Sequence, residues 1–232
     1  MAKVFIFIFK QLTCSILPIG RCLTDRNNPK LQFLKKITNL SQLSLQLNLI
    51  VMHIFHKRQG QMDFYNSYFY TDTICHFAHL LADDNLKLIV INSLQFLVKQ
   101  QLVEIYGYVI MPNHIHLLWN MLKMNGNESP ATSFTKFTAH QFRKHLLTNN
   151  PIQLEEYKSE KMDRNYQFWK RDPLAIPLST EDILIQKLDY MHNNPIKEKW
   201  NLCQQAEQYK WSSANFYLTG FDEFGMLKNF RE

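Results

Sequence analysis

The sequence predicts an α+β domain whose sheet is mainly antiparallel. Three observations lead there. Runs with strand composition and capped, helix-length segments follow one another in the order strand, helix, strand, strand, helix, strand, helix. Two of the strand runs are separated only by Pro112-Asn113, a turn dipeptide, and so form a hairpin. There is no internal repeat and no low-complexity tract. Hairpins mixed with helices are the signature of helices packed on an antiparallel sheet.

Each element has a local reason. Phe64 to Ile74 (FYNSYFYTDTI) is rich in aromatic and β-branched residues and reads as a strand. Asp83, Asp84 and Asn85 offer N-caps for a helix over Leu86 to Gln101. Val103 to Met111 and His114 to Met121 are the hairpin strands, and Asn125 to Glu128 is a polar loop. Ser129-Pro130 is an N-cap followed by proline at the first helical position. That helix should reach about Leu147, with Phe134, Phe137 and Phe142 on one side and Lys136, His140, Arg143 and Lys144 on the other. Thr148 to Asn165 is expected to be a long polar loop. Tyr166 to Leu178 contains two prolines, which suits an irregular or edge strand. Ser179 to Asp182 starts the last helix with acids in its first turn, and Pro195 stops it just after Asn193.

The chain has 232 residues, 46% hydrophobic and 20% charged, enough for one compact domain plus an extension. No charge-free stretch of about 18 apolar residues occurs, so no membrane partner is expected. The four cysteines (Cys14, Cys22, Cys75, Cys203) lack C-x-x-C spacing, which argues against a zinc ribbon or disulfide scaffold and suits a reducing, cytoplasmic setting. The net charge is +6, but it is unevenly placed. Residues 1–61 carry nine Lys/Arg against Asp25 alone, which leaves 17 Lys/Arg against 19 acids in residues 62–232. The global basicity therefore says little about a nucleic-acid surface on the organised part.

Residues 1–61 read as a poorly organised extension, residues 62–220 as the domain and residues 221–232 as a tail. The apolar run Val4 to Phe9 is too short for a secretory signal, and Pro18 to Arg21 is a poor cleavage context. Met52 and Met62 both precede the organised part, and a start codon set too far upstream is one expectation for the origin of the extension. Leu43, Leu45, Leu47 and Leu49 alternate with polar residues, a strand period without an evident partner.

His114-Ile115-His116 is the sharpest local feature. On a strand, residues i and i+2 share a face, so the two imidazoles project together while Ile115 points into the core. Two co-facing imidazoles form half of a divalent-metal site; H-x-H alone, however, is more often just two solvated histidines on a strand. On the last helix, Leu184, Ile185, Leu188 and Met191 cluster on one side, and Gln186, Tyr190 and Asn194 on the other. His192 falls on the apolar edge and reads as structural. A tyrosine beside an amide is in itself an ordinary surface pair. Combined with a metal that polarises a phosphate, however, a tyrosine can attack phosphorus and form a covalent intermediate.

Tyr108 to Trp119, YVIMPNHIHLLW, resembles the signature strand pair of the HUH single-strand endonucleases. It is most similar to the single-tyrosine transposases and, among them, the REP-associated tyrosine transposase group. Trp169, the run Asp189 to Pro195 (DYMHNNP) and Tyr209 to Ser213 (YKWSS) resemble further motifs of that group, in the same order, over roughly Asp63 to Gly220. The resemblance implies a ferredoxin-like fold, with the histidines on a middle strand and the tyrosine helix lying across the sheet. It implies His114 and His116 as metal ligands for Mg²⁺ or Mn²⁺ and Tyr190 as the nucleophile. It puts Asn194 at the third-ligand position, where relatives often carry glutamine. Its implied activity is cleavage and rejoining of single-stranded or hairpin DNA through a 5′-phosphotyrosine, with homodimer assembly left open.

For DNA contacts the residues offer Lys136, Arg143 and Lys144 on one helix face and Lys170-Arg171 beside Trp169. Lys136 to Arg171 holds eight Lys/Arg against four acids. These cations could neutralise phosphates and Trp169 could stack an unpaired base; a solvated helix face and a core tryptophan fit the same residues. Two other classes stay open at this point. One is a domesticated relative that binds hairpin DNA or RNA without cutting. The other is a metal-dependent hydrolase that uses the histidines without Tyr190.

Overall fold

The computed structural model describes residues 60–160, 162 and 164–232; the Leu43 to Leu49 pattern lies outside them. Strands β1 (Ser67–Thr73), β2 (Val103–Met111), β3 (His114–Met121) and β4 (Leu174–Pro177) form one antiparallel sheet in the order β2-β3-β1-β4. Helix α1 (Asp84–Lys99) joins β1 to β2, and α2 (Pro130–Asn149) with the short α3 (Pro151–Glu155) joins β3 to β4. This is the split β-α-β-β-α-β arrangement of ferredoxin-like folds. Two helices follow it, α4 (Glu181–His192) and α5 (Ala214–Thr219).

The caps are those the sequence offers. Asp83 accepts from the Asn85 amide, Ser129 from Thr132 and Thr180 from Ile183, each satisfying an amide that the first helical turn leaves orphaned. The expected loop over Thr148 to Asn165 is corrected by α3. Asn150 accepts from the Gln153 amide and Pro151 occupies the first helical position, so the Asn-Pro pair starts a turn of helix just as Ser129-Pro130 does. The stripe on α2 also needs correction. Phe134, Thr138, Phe142 and Leu146 are buried at four-residue spacing, whereas Phe137 is 46% exposed. Phe137 is one position off that row, which turns it toward solvent.

The sheet's two faces carry different cargo. Tyr68, Tyr70 and Asp72 of β1 share a face with Leu117 and Trp119 of β3, and α1 and α2 pack together on that side. Phe69, Thr71 and Thr73 share the opposite face with His114, His116 and Leu118 of β3 and with Gly107 and Val109 of β2. Helix α4 packs on this second face.

The outer edge of β2 is covered by the chain after α4. The Ile110 amide donates to the Trp211 carbonyl (2.8 Å), the Ser213 amide to the Tyr108 carbonyl (2.9 Å) and the Tyr209 hydroxyl to the Ile110 carbonyl (2.8 Å). The YKWSS segment thus pairs with the sheet edge and removes an exposed template for unwanted strand pairing. Residues 221–232, expected as a tail, also pack on the domain. Met226 is buried, Phe224 stacks on Trp211 (6.0 Å), and the Lys228 amide donates to the Ile105 carbonyl.

Candidate active site

The hairpin delivers both imidazoles to one place. The rings of His114 and His116 lie 4.7 Å apart, and Ile115 is fully buried on the other side. Each Nδ1 has a partner: Asn113 Oδ1 for His114 (2.6 Å) and Thr71 Oγ1 for His116 (2.7 Å). The Asn113 amide nitrogen donates to the Phe77 carbonyl, which turns its oxygen toward His114. His114 therefore carries its proton on Nδ1 and has its Nε2 lone pair available. Nε2 of His116 is buried and has no hydrogen-bond partner among the described residues, a costly state for a polar atom unless a ligand meets it.

Both imidazoles are held neutral. Burial lowers the pKa of His114 to about 4, with Lys199 and Lys197 adding to the effect. Burial, the neighbouring His114, and Lys197 and Lys187 hold His116 well below the usual imidazole range as well. Neutral imidazoles are the form that binds a cation. The second-layer contacts to Asn113 and Thr71 are also what a ligating pair requires.

Helix α4 brings Tyr190 to this pair. Its ring lies 5.6 Å from His116 and 6.0 Å from Phe69, edge-on to both, while the residue stays 46% exposed. Leu188 and Met191 seat the helix on the sheet. Gly107 lies beneath this seat: a Cβ there would fall 2.4 Å from Met191 Cε and 2.7 Å from Leu188 Cδ1, and both side-chain ends would have to move. The seat is reinforced at the end of the helix, where His192 Nε2 meets Ser213 Oγ (2.8 Å) and Ser213 Oγ receives the Tyr108 amide. His192 is thus structural, as its place on the apolar edge suggested.

Asn194 is buried beyond the end of α4, and its Oδ1 accepts a hydrogen bond from Lys197 Nζ (2.6 Å). The same ammonium lies 4.0 Å from the centre of the Tyr190 ring. Lys187 reaches the ring at 5.9 Å. The cations nearest the tyrosine are therefore on α4 and in the turn after it, and neither is among the residues expected from the sequence to meet DNA. Lys187 stands three residues before Tyr190, one helical turn away, and that spacing was a usable signal. Lys197 follows the helix break at Pro195, where periodicity gives no direction. Among the described residues no group of three or more His, Cys, Asp or Glu side chains could hold a metal. A cation here would rest on the two imidazoles, with an amide oxygen or water completing the set.

On the opposite face a groove of about 720 Å³ opens between α2, β1 and the segment before β4. Its walls include Lys136, Trp169, Lys170 and Arg171, four of the six residues expected to meet DNA. Arg143 lies just outside, over the Tyr166 ring (5.3 Å), and Lys144 is exposed on α2. Trp169 is only 7% exposed. It packs against Phe134 and Phe142 and donates its indole N–H to Thr138 (2.9 Å), so its work is in the core and its ring is not offered to a base.

Asp72 also lines this groove, although it is almost completely buried. Loss of hydration raises its pKa from 3.8 to about 7, against the lowering effects of the Tyr70 hydroxyl and the Thr73 amide. Between about pH 4 and 7 the folded chain keeps a proton that the unfolded chain has lost. This group therefore makes the fold less stable as pH rises through that window, and the effect levels off above 7. Asp72→Asn should remove that slope and stabilise the protein at pH 8, by at most about 4 kcal/mol. Urea unfolding of both proteins at pH 5 and pH 8 measures it; parallel pH dependences would show that the carboxyl is ionised in the fold.

No family model and no curated protein matches the chain. Among solved structures, it is similar to a REP-associated tyrosine transposase bound to a REP hairpin. The identity is 15%, the match covers 73% of this chain and 90% of that one, and the TM-score is 0.47. It is also similar to a candidate transposase from Deinococcus radiodurans R1, at 18% identity over 58% of this chain and 95% of that one, with a TM-score of 0.33.

Proposed function

We propose that this chain is a metal-dependent single-strand DNA endonuclease of the transposase kind, which cleaves and rejoins DNA through a covalent 5′-phosphotyrosine on Tyr190. The observation that carries the reading is the edge-on approach of a half-exposed Tyr190 to His116, whose buried Nε2 has no partner among the described residues. A tyrosine that merely decorated a surface helix would not need a pair of neutral, second-layer-supported imidazoles beside it.

In this reading His114 and His116 would hold Mn²⁺ or Mg²⁺ by their imidazole nitrogens. Imidazole nitrogens favour the softer Mn²⁺, while amide or water oxygens suit either ion. The bound ion would polarise the scissile phosphate and offset the charge that develops on it. Tyr190 attacks phosphorus, the P–O3′ bond breaks, and the phenol's proton leaves as the 3′ oxygen gains one. The ester energy is kept in the phosphotyrosine, so a second 3′-hydroxyl can reverse the step. The basic groove on the opposite face would hold further nucleotides or a hairpin stem by phosphate neutralisation.

Lys187, Lys197 and Lys199 place positive charge around the imidazoles, which opposes a divalent cation until a DNA phosphate arrives. Mn²⁺ should therefore bind the free protein weakly and more tightly with a single-stranded oligonucleotide present, and the coupling must be reciprocal. Titrating Mn²⁺ calorimetrically with and without a hairpin-bearing oligonucleotide, and following covalent capture on denaturing gels, tests this. Absence of both coupling and capture would sink the proposal.

A further inference from the structure

Lys197 is not an ordinary surface lysine. Its carbonyl accepts from the amides of both Trp200 and Asn201 (2.8 Å each), and its own amide donates to the Asn194 carbonyl. The Leu202 amide closes the same turn on the Pro195 carbonyl (2.9 Å). The backbone at Lys197 is thus fixed from both sides. The side chain is fixed as well: Nζ sits 2.6 Å from Asn194 Oδ1 and 4.0 Å from the centre of the Tyr190 ring. An ammonium has three donors, and the Asn194 contact uses one. Because lysine only donates, Asn194 must present its carbonyl oxygen to Lys197, and its buried Nδ2 has no partner among the described residues. Asn194 therefore acts as a tether for the lysine, an arrangement at odds with its expected place as third metal ligand. Lys187, the other cation near the ring, is farther away and also reaches Phe69 (5.3 Å).

We propose that Lys197 is a catalytic residue of this site, whose tethered ammonium binds a non-bridging oxygen of the phosphodiester that Tyr190 attacks. The inference rests on the function proposed above. A diester undergoing attack gathers negative charge on its non-bridging oxygens, and a cation already held beside the nucleophile meets that charge without reorganising. The bonds exchanged are unchanged: Tyr190 Oη to phosphorus forms, phosphorus to O3′ breaks, and the proton lost by the phenol is balanced by the one gained at O3′. Lys197 keeps its proton throughout and contributes charge and two free N–H donors. Asn194 is a positioning residue that aims it.

The test is single-turnover capture of a labelled single-stranded oligonucleotide by the full chain in Mn²⁺. Lys197→Gln, which keeps a hydrogen bond to Asn194 but no charge, should slow adduct formation by roughly 10²- to 10³-fold. Oligonucleotide affinity should change by only a few fold, and Mn²⁺ should bind the free variant at least as tightly as it binds the parent, since one opposing charge is gone. Lys197→Arg should recover most of the rate. An oligonucleotide with a neutral methylphosphonate at the scissile position should react slowly with the parent, and Lys197→Gln should slow it little further. A parent-like rate in Lys197→Gln, with Tyr190→Phe inactive, overturns the role of Lys197 and leaves the proposed function standing. Equal slowing of Lys197→Gln and Lys197→Arg, or loss of Mn²⁺ binding in both, would make Lys197 part of the scaffold and overturn its role as well. No adduct from the parent on any substrate overturns both proposals.

Discussion

Tyr190→Phe is expected to abolish covalent capture of DNA while leaving the fold and the DNA affinity nearly intact. The substitution removes one hydroxyl from a residue that is half exposed. It keeps the ring that packs edge-on against His116 and Phe69 and lies under Lys197. Surface changes of this size usually shift stability by under about 0.5 kcal/mol. Loss of a nucleophile, by contrast, costs more than about 10⁴-fold in rate. Labelled oligonucleotide that migrates with the parent protein on a denaturing gel should be missing from the mutant lane. Equal adduct in both lanes would remove Tyr190 from the mechanism.

The second large effect is expected at His116. His116→Ala should lose metal-dependent activity by more than about 100-fold, since even outer-layer changes at such sites cost about 10- to 100-fold. The loss should exceed that of His114→Ala. His116 is the more deeply buried of the two, stacks on Phe69 (4.9 Å) and borders Tyr190, so its removal disturbs the nucleophile's seat as well as the cation's. His114 lies at the rim beside Trp200 (5.8 Å) and touches neither Phe69 nor Tyr190 within stacking range. Mn²⁺ titrations and cleavage rates for the two variants provide the comparison. Full activity in excess chelator would show that the imidazoles serve some other purpose.

Much of this fold is written in local chemistry. The ends of β2 and β3, the Pro112-Asn113 turn and the three helix N-caps at Asp83, Ser129 and Thr180 all follow from residues within a few positions of where they act. The pairing of His114 with His116 is legible for the same reason, because strand geometry alone sets it. What escaped depends on long-range contact. The YKWSS segment is recognisable as a motif, yet nothing in its residues says that it will pair with Tyr108 to Ile110, about a hundred positions earlier. The Lys170-Arg171 pair beside Trp169 leaves a base-stacking and a core role equally open in the sequence; the core role is decided by Phe134, Phe142 and Thr138 of α2. Thr71 and Asp72 are chain neighbours with opposite destinations, one supporting His116 and the other lining the groove behind the sheet. The strand period separates them, but only the assembled sheet says what each meets.

The most direct test of the central claim is to find where the DNA becomes attached. The parent protein would be incubated with Mn²⁺ and a hairpin-bearing single-stranded oligonucleotide, quenched, digested with protease and analysed by mass spectrometry. One modified peptide is expected, containing Tyr190 and carrying the oligonucleotide through its 5′ phosphate, together with a released fragment ending in a 3′-hydroxyl. Cleavage with a free 5′ phosphate and no protein adduct, or an adduct on any residue other than Tyr190, would contradict it.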